Sequence, residues 1–231
     1  MRTLGLIGGM SWVSTRSYLE QINRLTQRRT SPRTTAPILA ECQNFGSLHD
    51  DGADADWDKI ANRLASSAKR LEQAGAGALV ICANAMHRHY DRIADAVDVP
   101  VIHAADAIGK AVAAANQAKL ALIGRRTVMT ETFFRERIVA HGIDLMAPDM
   151  SNVSEIEQII DNELMVGKAS RDAERKLKSI ITNKQQAGAT GIVLACTELE
   201  LVVDIDANVL PIFDSTRIHC QAAVEWMFED A

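Results

Sequence analysis

Several kinds of pattern are missing from this 231-residue chain, and each absence removes a class of function. No block of five or six like charges occurs, and 25 basic residues stand against 30 acidic ones for a net charge of -5, so nucleic acid is a poor partner. No apolar run reaches the roughly 18 residues needed to span a bilayer, so no membrane insertion is expected. The first residues read as a strand rather than a signal peptide, and the expected location is the cytoplasm. The four cysteines, Cys42, Cys82, Cys196 and Cys220, are scattered singly, without the CxxC spacing of a zinc site or the framework of a small secreted domain. They read as reduced thiols. Neither GxGxxG nor Gly-Lys-Ser/Thr is present, which removes the dinucleotide fingerprint and the P-loop. His-Glu-x-x-His and Gly-x-Ser-x-Gly are also absent, so neither a metal centre nor a serine triad is expected.

What the chain does contain is a near-repeat. Residues 74–84 read AGAGALVICAN and residues 187–197 read AGATGIVLACT, which places Cys196 opposite Ala83 and Ala195 opposite Cys82. LGLIGG at 4–9 matches LALIGR at 120–125, and PVIHAAD at 100–106 matches PIFDST at 211–216, in the same order. Short apolar runs alternate with longer helical segments, the pattern of a parallel sheet covered by helices. The fold class is therefore α/β, as two duplicated Rossmann-like parallel-sheet domains with pseudo-twofold symmetry and a cleft between them. Hydrophobic residues make up 47% of the chain, enough for a core in each copy. The repeat assigns residues 1–99 to the first domain, completed by the C-terminal segment 212–231, and residues 100–211 to the second. Eight strands are expected, the fourth of each copy over 99–102 and 209–213, with one continuous helix over 130–141. Gly75, Gly142, Gly167 and Gly188 stand where helices should stop, because glycine accepts the left-handed backbone there.

In open parallel sheets ligands bind beyond the carboxyl ends of the strands, which singles out the residues after strands 1 and 3 of each copy. Gly8-Gly9-Met10-Ser11 offers backbone N–H groups at a helix start to a carboxylate or phosphate, or else is a tight turn. Cys196-Thr197-Glu198 ends the strand GIVLA and is expected to open a helix whose N–H groups favour a thiolate, making Cys196 the best nucleophile or base in the chain. Glu198 either touches substrate or tunes a partner, or else compensates a helix dipole. Strand alternation turns Ala83 to the same side as Cys196 and sends Cys82 into packing. Asn84 reads as a helix cap or a carboxylate ligand, His87 as a helix-surface or packed histidine or else a catalyst, and Asp214 and Ser215 as caps. Arg125 and Arg126 either grip an acid or are solvated.

At these residues the chain resembles the aspartate/glutamate racemase family: LGLIGGMSWVST at 4–15, ICANAMH at 81–87, ACTELEL at 195–201 and PIFDSTRIH at 211–219. The resemblance spans essentially the whole chain. It implies two related α/β domains, a homodimer, a small acidic amino acid or related carboxylate as substrate, and racemisation with no cofactor and no metal. Inverting a Cα centre then needs a base on one face and an acid on the other. Carried over, Cys196 takes one role and position 83 the other, where Ala83 has no proton to exchange. The substrate-binding positions implied are Gly9, Met10, Ser11, Asn84, Ala85, Arg125, Thr197 and Glu198. Ala85 stands where the family loop has threonine, and Gly124-Arg125-Arg126-Thr127-Val128-Met129 replaces a GTxxTM pattern. These departures imply weak or altered racemase activity. The alternatives are a single-cysteine enzyme resembling arylmalonate decarboxylases, or a non-catalytic paralogue that binds an amino acid.

Overall fold

The computed structural model describes residues 1–44, 46 and 56–229. Contacts divide the chain into two units, Met1–His103 with His219–Ala231, and Ala104–Ile218. The chain passes from one to the other after His103 and again after Ile218.

The first unit is built on β1 (Leu4–Gly8), β2 (Ile38–Cys42), β3 (Ala78–Ile81) and β4 (Val101–Ile102), all parallel in the order β2-β1-β3-β4. Its helices are α1 (Trp12–Arg29), α2 (Trp57–Gln73) and α3 (Tyr90–Ala94). Side chains alternate along each strand, so one sheet supplies two cores. Leu4, Leu6, Ala78, Val80 and Cys82 pack on one face with Tyr18 and Ile22 of α1 and with Ala223, Val224 and Met227. Ile7, Leu79 and Ile81 pack on the other with Ile60, Leu64 and Leu71 of α2. Each buried Leu, Ile, Val or Met side chain contributes roughly 1.5–3 kcal/mol, and the sheet is covered on both faces.

The second unit repeats the topology with β5 (Lys119–Ile123), β6 (Asp144–Leu145), β7 (Gly191–Leu194) and β8 (Ile212–Asp214) in the order β6-β5-β7-β8. Its helices are α4 (Ala104–Ala114), α5 (Arg126–Thr130), α6 (Thr132–Val139), α7 (Val153–Asn162) and α8 (Arg171–Gln186), while α9 (Ser215–Phe228) begins here and ends in the first unit. Ala121, Ile123, Ile192 and Leu194 meet Ile156, Ile159 and Ile160 of α7 and Leu177, Ile180 and Ile181 of α8. The eight expected strands are present, and the order of strands is the same in the two sheets. Gly75, Gly142, Gly167 and Gly188 all carry positive φ, between 76° and 100°, as their stop positions require.

Two expectations need correction. The helix expected over 130–141 is broken at Glu131, whose ψ of 154° is extended, giving α5 and α6 instead. At the break, Glu131 N–H still donates to Thr127 O at 3.0 Å as the C-cap of α5, and its extended backbone makes it the N-cap of α6 as well. The strands expected at 99–102 and 209–213 are shorter, because only Val101–Ile102 and Ile212–Asp214 find a neighbouring strand to pair with. Among the described residues no helix is long and apolar enough to cross a membrane.

Candidate active site

The corresponding loops of the two units share their backbone geometry. Cys82 N–H donates to Ile7 O at 3.0 Å and Ala195 N–H to Ile123 O at 2.7 Å, which closes β3 against β1 and β7 against β5. One residue later the chain leaves the sheet in an extended conformation, at Ala83 (φ -156°, ψ 118°) and at Cys196 (φ -135°, ψ 130°). Each caps a 3-10 turn, Asn84–His89 and Thr197–Leu201 respectively. The helix that Cys196 is expected to open is a short 3-10 one, Thr197–Leu201. Cys82 points into the core beside Leu4, Leu6 and Val80, and burial pushes its thiol well up.

Gly124 lets β5 approach this turn. A Cβ there would lie 2.8 Å from the carbonyl carbon of Ala195, so any side chain would displace the backbone that carries Cys196. Cys196 is 6% exposed and Glu198 5%. The thiol donates to Glu198 Oε2 at 2.9 Å, and the Thr197 hydroxyl donates to the same oxygen at 3.0 Å. Burial, then the Glu198 charge, push the Cys196 thiol well above its ordinary value, while the Arg125 charge and the Glu198 N–H favour its thiolate. The backbone N–H effect expected from the sequence is therefore present but outweighed, and the resting group is a neutral thiol.

Arg125 stands at the N-cap of α5, with its side chain only 25% exposed. Its Nη2 donates to Asp161 Oδ1 at 2.5 Å and to Met165 Sδ at 3.0 Å. Burial works against its charge, but the Asp161 hydrogen bond and the Asp161 and Glu198 charges favour it and keep the guanidinium protonated. Arg126 is the solvated one of the two, its side chain about half exposed, and its N–H donates to Glu157 Oε1 at 3.0 Å. Glu157 and Asp161, one turn apart on α7, therefore hold consecutive arginines. Sequence reading missed Asp161; the signal was an acidic pair at i, i+4 matching Arg125-Arg126.

In the first unit, Gly9 carries φ 82°, and a Cβ on it would lie 2.2 Å from Gln43 O, so only glycine fits. Its N–H donates to Thr15 Oγ1 at 2.8 Å, and Ser11 Oγ accepts from Ser14 N–H as the N-cap of α1. These bonds build the tight turn, and Met10 is part of the core. Asn84 is buried, but Ala83 holds the cap position, so the capping role expected of Asn84 is not realised. Ala85 is half-buried in the same turn. His87 is 1% exposed and packs on His103 with ring centroids 4.3 Å apart. His219 donates through Nε2 to Ile102 O at 2.9 Å and accepts the Tyr18 hydroxyl at Nδ1 at 2.7 Å, and burial pushes it down to about 4. Asp214 Oδ1 accepts the Thr216 N–H at 2.9 Å, the cap expected of it.

Known proteins share the fold over nearly the whole chain. The sequence profile of the Asp/Glu/Hydantoin racemase family matches residues 7–223. A putative Asp/Glu racemase from Yersinia pestis is 34% identical, with 98% of this chain and 99% of that chain covered and a TM-score of 0.87. An aspartate racemase homologue from Pyrococcus horikoshii OT3 is 26% identical over the same shares, with a TM-score of 0.85. The glutamate racemase of Francisella tularensis, solved with D-glutamate, shares the fold at 15% identity and a TM-score of 0.71, covering 99% of this chain and 82% of its own. The chain belongs to the Asp/Glu/Hydantoin racemase family.

Proposed function

We propose that this protein moves the Cα proton of a small acidic amino acid without a cofactor, with Cys196 as one proton-transfer group and Ala83 at the position of the other. The observation that carries the reading is the hydrogen bond from Cys196 Sγ to Glu198 Oε2, because it gives a neutral buried thiol a place to put its proton. As a base, Cys196 passes its proton to the Glu198 carboxylate, and the thiolate takes the proton from Cα. As an acid, the thiol returns a proton to the planar carbanion and Glu198 restores it. Arg125 supports an acidic substrate: its guanidinium has five N–H donors, and Asp161 and Met165 engage only Nη2.

Ala83 supplies no proton, so the second face depends on water. Loss of one positioned acid or base costs on the order of 10²- to 10⁴-fold, and turnover should be slow and unequal between the two enantiomers. Exchange of the Cα proton in deuterated water, followed by NMR on both enantiomers of aspartate and glutamate, tests this. Exchange with inversion supports the proposal. Binding without exchange rejects it in favour of a non-catalytic paralogue, and exchange of one enantiomer with retention points to one-sided chemistry of the decarboxylase kind.

A further inference from the structure

Arg125 and Cys196 follow neighbouring strands at the same level. Ile123 of β5 is in register with Leu194 of β7, and the Ala195 N–H donates to Ile123 O at 2.7 Å, so two residues further on Arg125 stands beside Cys196. Both backbones are still extended there, at φ -66° and ψ 149° for Arg125 and φ -135° and ψ 130° for Cys196. Parallel strands in register turn paired side chains to the same face. That face is the one covered by α7 and α8, where Ile123, Leu194 and Cys196 share a core.

Helix α7 holds the arginine at both ends. Glu157 Oε1 accepts the Arg126 N–H at 3.0 Å, which pins the backbone just after Arg125, and Asp161 Oδ1, one turn along the same helix, accepts from the Arg125 Nη2 at 2.5 Å. Met165 Sδ, on the 3-10 turn Leu164–Val166, accepts from the same nitrogen at 3.0 Å and packs on the core that contains Cys196. Asp161 does not serve α7 itself. The last turn of α7 has no basic residue, and the negative end of the helix dipole disfavours a carboxylate there. Its partner is Arg125, whose side chain is only 25% exposed. Because both bonds use Nη2, the Nε and Nη1 donors are left for another acceptor.

We propose that Asp161 is a positioning residue, which together with Met165 fixes the Arg125 guanidinium so that its Nε and Nη1 donors form a carboxylate subsite beside Cys196. A guanidinium already held in place loses little rotamer freedom when a carboxylate binds. Without the hold, the side chain spends its time among solvated rotamers and the subsite is lost. The Arg125 charge also favours the Cys196 thiolate, in agreement with its placement.

The inference rests on the proposed site around Cys196, but its test needs no turnover. Iodoacetate and iodoacetamide alkylate the same thiolate, and only iodoacetate carries a carboxylate next to the reacting carbon. The ratio of their rates at Cys196, resolved by peptide mass, cancels thiol ionisation and access and reports the subsite. Arg125→Gln should lower the ratio by about tenfold or more, the loss of a charge-assisted hydrogen bond. Asp161→Ala should lower it nearly as far although Arg125 is intact. Asp161→Asn keeps an oxygen acceptor for Nη2 and should hold the ratio at the wild-type value or above it. A wild-type or higher ratio in Asp161→Ala, or equal losses in the alanine and asparagine variants, overturns the positioning role. Absence of Cα exchange with this pattern intact would reject the proposed function and leave the subsite standing.

Discussion

Cys196 Sγ and Glu198 Oε2 lie 2.9 Å apart on one 3-10 turn, and both side chains are almost wholly removed from solvent. A buried thiol resists ionising, and the neighbouring carboxylate resists it further while also offering the acceptor that ionisation needs. Glu198→Gln separates the two effects. It should lower exchange by about 10²-fold or more through loss of the acceptor. The alkylation profile of Cys196 should move to lower pH, because a charge that raised the thiol is gone. A helix-dipole role alone would leave the exchange rate nearly unchanged.

Gly124 sets how closely β5 approaches the residue before Cys196. Gly124→Ala should destabilise the protein by about 1–3 kcal/mol, the usual cost of overpacking against backbone, seen as a lower urea midpoint at unchanged slope. Exchange activity should fall more than stability alone explains, since the displaced backbone is that of Ala195.

His219 is neutral in the fold, held between Tyr18 and Ile102, with its pKa pushed down to about 4 from 6.5. A depressed histidine contributes stability that is complete above about 6.5 and is lost as pH falls toward 4, with a limiting slope of about 1.4 kcal/mol per pH unit. Urea unfolding between pH 7.5 and 5 should show that loss. His219→Gln should flatten the slope in this window while lowering stability at pH 7.5.

Lys184 of α8 is buried and paired with Asp149, whose carboxyl the Lys184 bond holds well below the usual carboxylate range. A depressed carboxylate contributes stability above its unfolded value near 3.8 that is lost as pH falls below it. Asp149→Asn should cost about 1 kcal/mol at neutral pH, a figure discounted because the Asp149 side is partly screened by water. Thermal unfolding at pH 7 and pH 3 should show the difference between variant and wild type shrinking at the lower pH.

The architecture could be read from sequence because a duplicated period-2 and period-3.6 pattern is a local signal. AGAGALVICAN against AGATGIVLACT brought Ala83 and Cys196 into the same backbone position, and the four stop glycines lie where the left-handed backbone is needed. What was hidden depends on distant partners. The Arg125 to Asp161 bond joins residues 36 apart, and the Tyr18 to His219 bond joins residues 201 apart. The thiol of Cys196 was expected to lean toward thiolate from its place at the start of a helix; burial and the Glu198 charge reverse that, and although Glu198 stood out in the sequence, the burial does not follow from spacing. The break at Glu131 is a single extended residue between two short helices, and a 3.6-residue apolar pattern does not register it.

Cα proton exchange by the wild type, Cys196→Ala and Ala83→Cys, compared on both enantiomers of aspartate and glutamate in deuterated water, tests the assignment of Cys196 and Ala83 most directly. Slow, unequal exchange by the wild type, none by Cys196→Ala, and inversion faster by about 10²-fold or more in Ala83→Cys are the expected results. Exchange that survives in Cys196→Ala would contradict the account.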